Sequence, residues 1–177
     1  MVVVDTETGG LDHTKHALLS LAAVDSDGEA FHALIRPSAE WLIDPVALEI
    51  NGFSVEYLQE FGRPEVEVMR EFILWLASRR GAMVAGCAVD FDVAFLRAAA
   101  KRCGLELVFG RTLDLRGAAW LAYELGKISL SLGKDGNPRL SLDSISHSMG
   151  MSRAGDRHDC LEDALLTMSC FKTLAYV

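Results

Sequence analysis

Three β-branched residues, Val2, Val3 and Val4, open the chain and give way to the polar stretch 5–10, the pattern of a strand running into a turn. A second apolar run at 18–24 is followed by Asp25-Ser26-Asp27-Gly28, a strong turn signal, and then by a partner strand at 31–35. The opening third therefore predicts an antiparallel meander of three strands. Helical spacing follows. Asp44-Pro45 supplies an N-cap and a proline at the first helical position, and Asn51-Gly52 closes that short helix. Ser54 can cap a second short helix. Pro64 opens a longer one, with Val66, Met69, Phe72, Ile73 and Leu76 at helical spacing, ending near Gly81. The apolar run 82–89 is too short for a helix and predicts a buried strand. Residues 91–102 are helical and stop at Gly104, a further strand lies near 108–113, and helices follow near 115–125, 142–149 and 159–174. Residues 134–138 form a loop tip. Strands first, then strands alternating with helices, predict an α/β fold in which a mixed five-stranded sheet is flanked by helices. Its parallel part places ligands at the carboxyl ends of strands.

Composition narrows the class. At 177 residues the chain predicts one domain spanning 1–177, and 50% hydrophobic with 24% charged residues is enough for a packed core. No run without Asp, Glu, Lys or Arg exceeds nine residues, which excludes a transmembrane helix. The N-terminal Met-Val-Val-Val-Asp has no basic n-region, so no secretory signal is expected. Cys87, Cys103, Cys160 and Cys170 form no Cys-x-x-Cys pair, which argues against a zinc knuckle and for reduced, buried thiols. A cytoplasmic location is the expectation. The net charge of −8 argues against a general nucleic-acid binder, but the halves differ. Residues 1–90 carry 6 basic and 15 acidic side chains, and residues 91–177 carry 11 and 10. Whether the acidic half gathers carboxylates for metal is a question for the motifs.

Three clusters carry chemistry. Asp5 and Glu7, two residues apart at the end of the first strand, point to one face. Side by side they repel unless a cation lies between them, and hard oxygen ligands suit Mg²⁺ or Mn²⁺. Asp90-Phe91-Asp92 follows the buried strand. One of these carboxylates can reach a site beside the first strand, and Asp90 can equally cap the helix. His158-Asp159-Cys160-Leu161-Glu162-Asp163 opens the last helix, with Asp159 and Asp163 on one face and His158 at the entry. A histidine beside an activated water is a natural general base. Each cluster by itself is also compatible with a solvated, capped or polar element end.

Together, Asp-x-Glu near the N-terminus, Phe-Asp-x-x-Phe-Leu mid-chain and His-(x)4-Asp near the C-terminus resemble the DEDDh branch of the DnaQ-like 3′–5′ exonucleases. That superfamily includes polymerase proofreading subunits, RNase T and oligoribonuclease, and the resemblance covers essentially the whole chain. It implies an RNase H-like fold. It implies Asp5, Glu7, Asp92 and Asp163 as carboxylates for two divalent ions, Mg²⁺ or Mn²⁺, and His158 as the general base. It implies that Thr8, Gly9, Gly10 and Leu11 hold the 3′-terminal nucleotide. Phe91, Phe95 and Leu96 fit the family spacing around Asp92, which favours it over Asp90. Two departures stand out. The residues before Phe91, from Ala85 to Asp90, lack the polar pair that relatives often carry there. Asn51-Gly52-Phe53 falls where relatives show His-Gly-Ile or Asn-Gly-Ile; Asn51 is a candidate substrate contact and a plain helix C-cap in equal measure.

The activity implied is a two-metal hydrolysis that releases nucleoside 5′-monophosphates from single-stranded 3′ ends. Arg153 and Arg157, just before His158, are the favoured phosphate contacts, and Phe53 and Leu11 the candidate apolar ones. DNA and RNA ends both remain open as substrates, as does an inactive adaptor on the same fold, although the intact carboxylates and histidine argue against the last. No membrane partner is expected, and any polymerase or repair partner would be a separate chain.

Overall fold

In a computed structural model, which describes residues 1–79, 81–155 and 157–176, five strands form one sheet in the order β3-β2-β1-β4-β5. β1 (Val2–Thr8), β2 (Leu18–Asp25) and β3 (Ala30–Leu34) make the expected antiparallel meander. β4 (Val84–Gly86) runs parallel to β1, and β5 (Thr112–Asp114) parallel to β4. β1 is therefore the central strand, paired on both sides.

Helices on both faces explain why β1 and β2 lack clean alternation of apolar and polar residues: each side of the sheet needs its own apolar set. Val2, Val4, Leu21 and Ala23 point one way, onto Met69 and Phe72 of α3 (Glu65–Ala77) and Phe95 and Leu96 of α4 (Val89–Arg102). Val3, Ala22 and Val24 point the other way. They meet Leu115 of α5 (Leu115–Glu124), Ile145 of α6 (Leu142–Ser148) and Ala164 and Met168 of α7 (Cys160–Leu174). This is the mixed sheet expected from the pattern, in the RNase H-like arrangement that the family resemblance implies.

The two short helices, α1 (Pro45–Asn51) and α2 (Val55–Phe61), start where the caps predict. Asp44 accepts a hydrogen bond from the Val46 amide, and Ser54 from the Tyr57 amide. Three boundaries differ from the sequence expectation. The strand predicted over 82–89 is cut to three residues, because Ala88 takes a left-handed conformation (φ 67°) and α4 begins at Val89. That tight strand-to-helix turn leaves Asp90 inside the first helical turn, so it is not the N-cap. The last strand lies at 112–114 rather than 108–113, paired along the whole of β4. α3 ends at Ala77, short of Gly81.

Candidate active site

The site grows out of the C-terminal end of β1. Strand alternation sends Asp5 and Glu7 to the α7 side, while Thr6 points towards α4. Thr6 donates to Asp92 Oδ1 at 2.8 Å and so anchors the α4 carboxylate from the opposite face of the strand. Asp163, one turn into α7, comes in from the other side. Asp5, Glu7, Asp92, Asp163 and His158 line one pocket of about 340 Å³, together with Thr6, Cys87, Phe91, Ser141, Asp143 and Arg153. Asp90 is exposed and lies outside that lining.

The charges are confined. Glu7, Asp92 and Asp163 are buried and Asp5 is half-buried. Burial, then the neighbouring carboxylates Asp92, Asp163 and Glu7, push the Asp5 carboxyl well above its ordinary range. Glu7 is pushed to about 8 by burial and then by Asp163, Asp159 and Asp92. Burial raises Asp92 to about 7, against the hydrogen bonds from Thr6 that oppose the rise. Asp163 is also raised by burial, although Arg153 pulls it down. Glu7 Oε1 is buried with no hydrogen-bond partner.

Arg153 supplies a guanidinium inside this cluster, its side chain only 9% exposed. It donates through Nε and Nη2 to both oxygens of Asp163, the latter at 2.9 Å, and through Nη1 it meets Asp143 at 2.9 Å. The structure thus places Arg153 on two carboxylates, at the wall of the pocket. His158 stands at the mouth, 43% exposed, with Nδ1 at 3.6 Å from Asp163 Oδ2. Ligand atoms of Glu7, His158 and Asp163 all lie within 4.8 Å of one another.

The turn after β1 is held from behind. The Thr8 hydroxyl donates to the Gly10 carbonyl at 2.8 Å, and Gly9 exchanges backbone bonds with Ala17 and Asp44. A Cβ on Gly9 would sit 2.7 Å from the Leu42 carbonyl oxygen, so only glycine fits that approach. Leu11 stands out at the tip, 86% exposed. Asn51 is buried and donates to the Thr8 carbonyl at 3.1 Å, so it braces the turn. Phe53 packs half-buried, stacked on Tyr57. Arg157 lies over the C-cap of α1, where a Cβ on Gly52 would come within 2.5 Å of its Cδ. The adjoining His158 amide donates to the Ile50 carbonyl at 3.3 Å. One short helix therefore braces both the 8–11 turn and the His158 loop.

Sequence reasoning missed Thr6, Cys87 and Asp143. Thr6 has the wrong strand parity to point with Asp5 and Glu7, and its hydroxyl serves the site by holding Asp92 from the α4 side of the sheet. Cys87, whose thiol burial pushes up to about 12, is brought in by the turn after β4. Asp143 looks like an ordinary acidic residue in the first turn of α6.

Residues 2–171 match the family model described as an exonuclease of the RNase T type. The chain belongs to the exonuclease family, within the DnaQ-like 3′–5′ exonuclease superfamily. Ribonuclease T of Pectobacterium atrosepticum is 31% identical over 122 residues, 59% of this chain and 54% of that protein. The PolC-type DNA polymerase III of Thermotoga maritima is 28% identical over 96% of this chain, which corresponds to 11% of the polymerase. This exonuclease chain thus spans about half of ribonuclease T, and a small part of the polymerase. Among solved structures, Escherichia coli exonuclease I in complex with a dT13 oligonucleotide superposes with a TM-score of 0.84. It is 21% identical and covers 98% of this chain and 40% of its own, a likeness of fold. No helix among the described residues of the exonuclease chain is long and apolar enough to cross a membrane.

Proposed function

We propose that residues 1–177 form one exonuclease domain that removes nucleotides from single-stranded 3′ ends, by metal-dependent hydrolysis, as nucleoside 5′-monophosphates. The observation that carries the reading is the pocket itself. Five carboxylates, Asp5, Glu7, Asp92, Asp143 and Asp163, line it with one guanidinium among them, and Glu7 Oε1 is buried without a partner. Such a group is costly unless something absent from the protein chain neutralises it. The all-oxygen donor set of Asp5, Glu7, Asp92 and Asp163 fits hard divalent ions of the Mg²⁺ or Mn²⁺ class. Bound ions would supply Lewis-acid stabilisation of charge on the phosphoryl oxygens.

The chain's own residues do the rest. The 8–11 turn receives the terminal nucleotide, with the exposed Leu11 side chain offering apolar contact to its base. Asn51 keeps that turn in place through the Thr8 carbonyl. His158 takes the proton of the attacking water. Nδ1 lies towards Asp163, which leaves Nε2 as the accepting atom. Arg153 holds Asp163 in place, and with divalent ions beside that carboxylate the same guanidinium would be able to pair with a substrate phosphate.

The substrate is DNA or RNA. The ribonuclease T relative supports RNA, and the dT13 seated on exonuclease I, a protein of the same fold, supports DNA. The polymerase relative, in which the matching segment is part of the polymerase chain itself, supports association with a polymerase. The test is parallel digestion of 5′-labelled single-stranded DNA and RNA with Mg²⁺ or Mn²⁺. Stepwise shortening from the 3′ end, abolished by chelator, is expected. Full activity in excess EDTA, or rapid cutting of circular strands, would count against the reading.

A further inference from the structure

A second cleft, of about 600 Å³, opens directly beside the catalytic pocket. Ser141, Asp143 and Arg153 line both, so the two cavities share one wall. Beyond that wall the cleft is faced by α6, by the 129–139 segment and by the loop before α7. Its chemistry is the reverse of the catalytic pocket. Serine hydroxyls dominate, Ser131, Ser144 and Ser152 among them, joined by exposed Arg139 and His147. Its one carboxylate among the described lining residues, Asp143, is already held by Arg153 at 2.9 Å.

We propose that this serine-lined cleft binds the sugar–phosphate backbone of the strand just upstream of the 3′-terminal nucleotide. The inference rests on the exonuclease reading and names where the rest of the substrate goes. A strand whose end lies among carboxylates must leave by a route that does not repel its phosphates. Across the shared wall, hydroxyl donors and a guanidinium can bond phosphate oxygens and sugar hydroxyls. Among the described lining residues His147 carries the one ring, and Phe, Tyr and Trp are absent, so contact is chiefly with the backbone and carries little sequence preference. A rival cleft of about 660 Å³ lies between α4 and Trp41, with Arg97 and Lys101 on its rim. It shares no lining residue with the catalytic pocket, which favours the serine cleft as the continuation of the site.

The test measures binding without turnover. Fluorescence anisotropy of labelled single-stranded 10-mers, one of DNA and one of RNA, is read in EDTA over a salt series. Arg139→Ala should weaken binding about 10-fold, the worth of one charge-assisted hydrogen bond. It should also flatten the log–log salt dependence by about 0.7, the loss of one phosphate contact on a single strand. Ser131→Phe, an exposed position whose ring would fill the cleft, should weaken the same binding without altering net charge. Equal losses on DNA and RNA assign the contact to phosphate; a larger loss on RNA adds the 2′-hydroxyl. Either variant folded, by circular dichroism, and binding both 10-mers as tightly as wild type would overturn the proposal. A wild-type protein that binds through these residues yet hydrolyses nothing with Mg²⁺ or Mn²⁺ would keep the cleft and discard the exonuclease reading.

Discussion

Carboxylates are buried in this protein in two opposite ways. At the far end of β2, Asp25 receives the Asp27 and Glu29 amides on one oxygen and Arg79 Nε at 2.7 Å on the other. Burial would raise its pKa, but those bonds outweigh it and hold the carboxyl below its ordinary range. Glu65 of α3 is likewise gripped by both Arg102 nitrogens that face it. At the β1 end, Asp5, Glu7, Asp92 and Asp163 are crowded together with one guanidinium, Arg153, which bonds only Asp163 of the four, and burial first, then neighbouring carboxylates, drives their pKa values up. The paired carboxylates serve the fold. The crowded ones oppose it and are explained by a ligand that the fold itself does not supply.

The sharpest way to break this comparison is to neutralise one carboxylate of each kind. Asp5→Asn should reduce exonuclease activity to background while raising the melting temperature of the metal-free protein, because it relieves repulsion. Asp25→Asn should do the reverse, keeping activity and losing about 1–3 kcal/mol of stability in chemical denaturation. An Asp5→Asn protein less stable than wild type in EDTA would make the two kinds of site alike.

His158→Ala comes next. It should lower kcat by about 10²–10⁴-fold, the usual worth of a general base. Mn²⁺ affinity, measured by calorimetry, separates two roles for the same imidazole. Unchanged affinity fits a base. A marked loss would make His158 a ligand, as its position within 4.8 Å of Glu7 and Asp163 ligand atoms allows.

A smaller effect concerns pH. In the folded, metal-free protein Glu7 titrates near 8 and Asp92 near 7, both above the values of an unfolded chain. The native state therefore holds protons that the unfolded state has released, and stability in EDTA should fall as pH rises from about 4 to 8. The crowded cluster is then most stable where its carboxyls are protonated. Saturating Mg²⁺ or Mn²⁺ should flatten that decline. Chemical denaturation at several pH values, with and without metal, gives the measurement.

The finest effect belongs to Arg153, the one residue that makes part of the cluster resemble the paired sites. Arg153→Met should destabilise the metal-free protein and raise Mn²⁺ affinity by about tenfold, because the ion no longer competes with a guanidinium for Asp163. Weaker Mn²⁺ binding in this variant would show that Arg153 supports the metal site and does not stand in for it.

Much of this was determined by the sequence alone, for local reasons. Turn residues, caps and apolar periodicity depend on neighbours a few positions away, so the meander, the capped helices and the long α4 and α7 are legible in the chain. Asp5 and Glu7 share a face by strand geometry, and His158 and Asp163 share a helix entrance, so two of the three clusters could be read directly. The middle one could not. Local chemistry does not separate Asp90 from Asp92; only the family resemblance in the spacing of Phe91, Phe95 and Leu96 favoured Asp92, and the physical difference arises in how α4 packs after the left-handed turn at Ala88. That turn rotates α4 so that Asp92 meets Thr6 while Asp90 meets solvent. Arg153 follows the same logic. Its nearness to His158 in sequence suggested a phosphate contact, but only the packing of α6 beside α7 brings Asp143 and Asp163 to the same guanidinium. Likewise Asn51, a C-cap or substrate contact by sequence, becomes a brace because α1 folds back against the β1 turn. Local chemistry is written in short-range order. Which charge meets which depends on contacts across tens of residues, and those exist only once the sheet and its helices have packed.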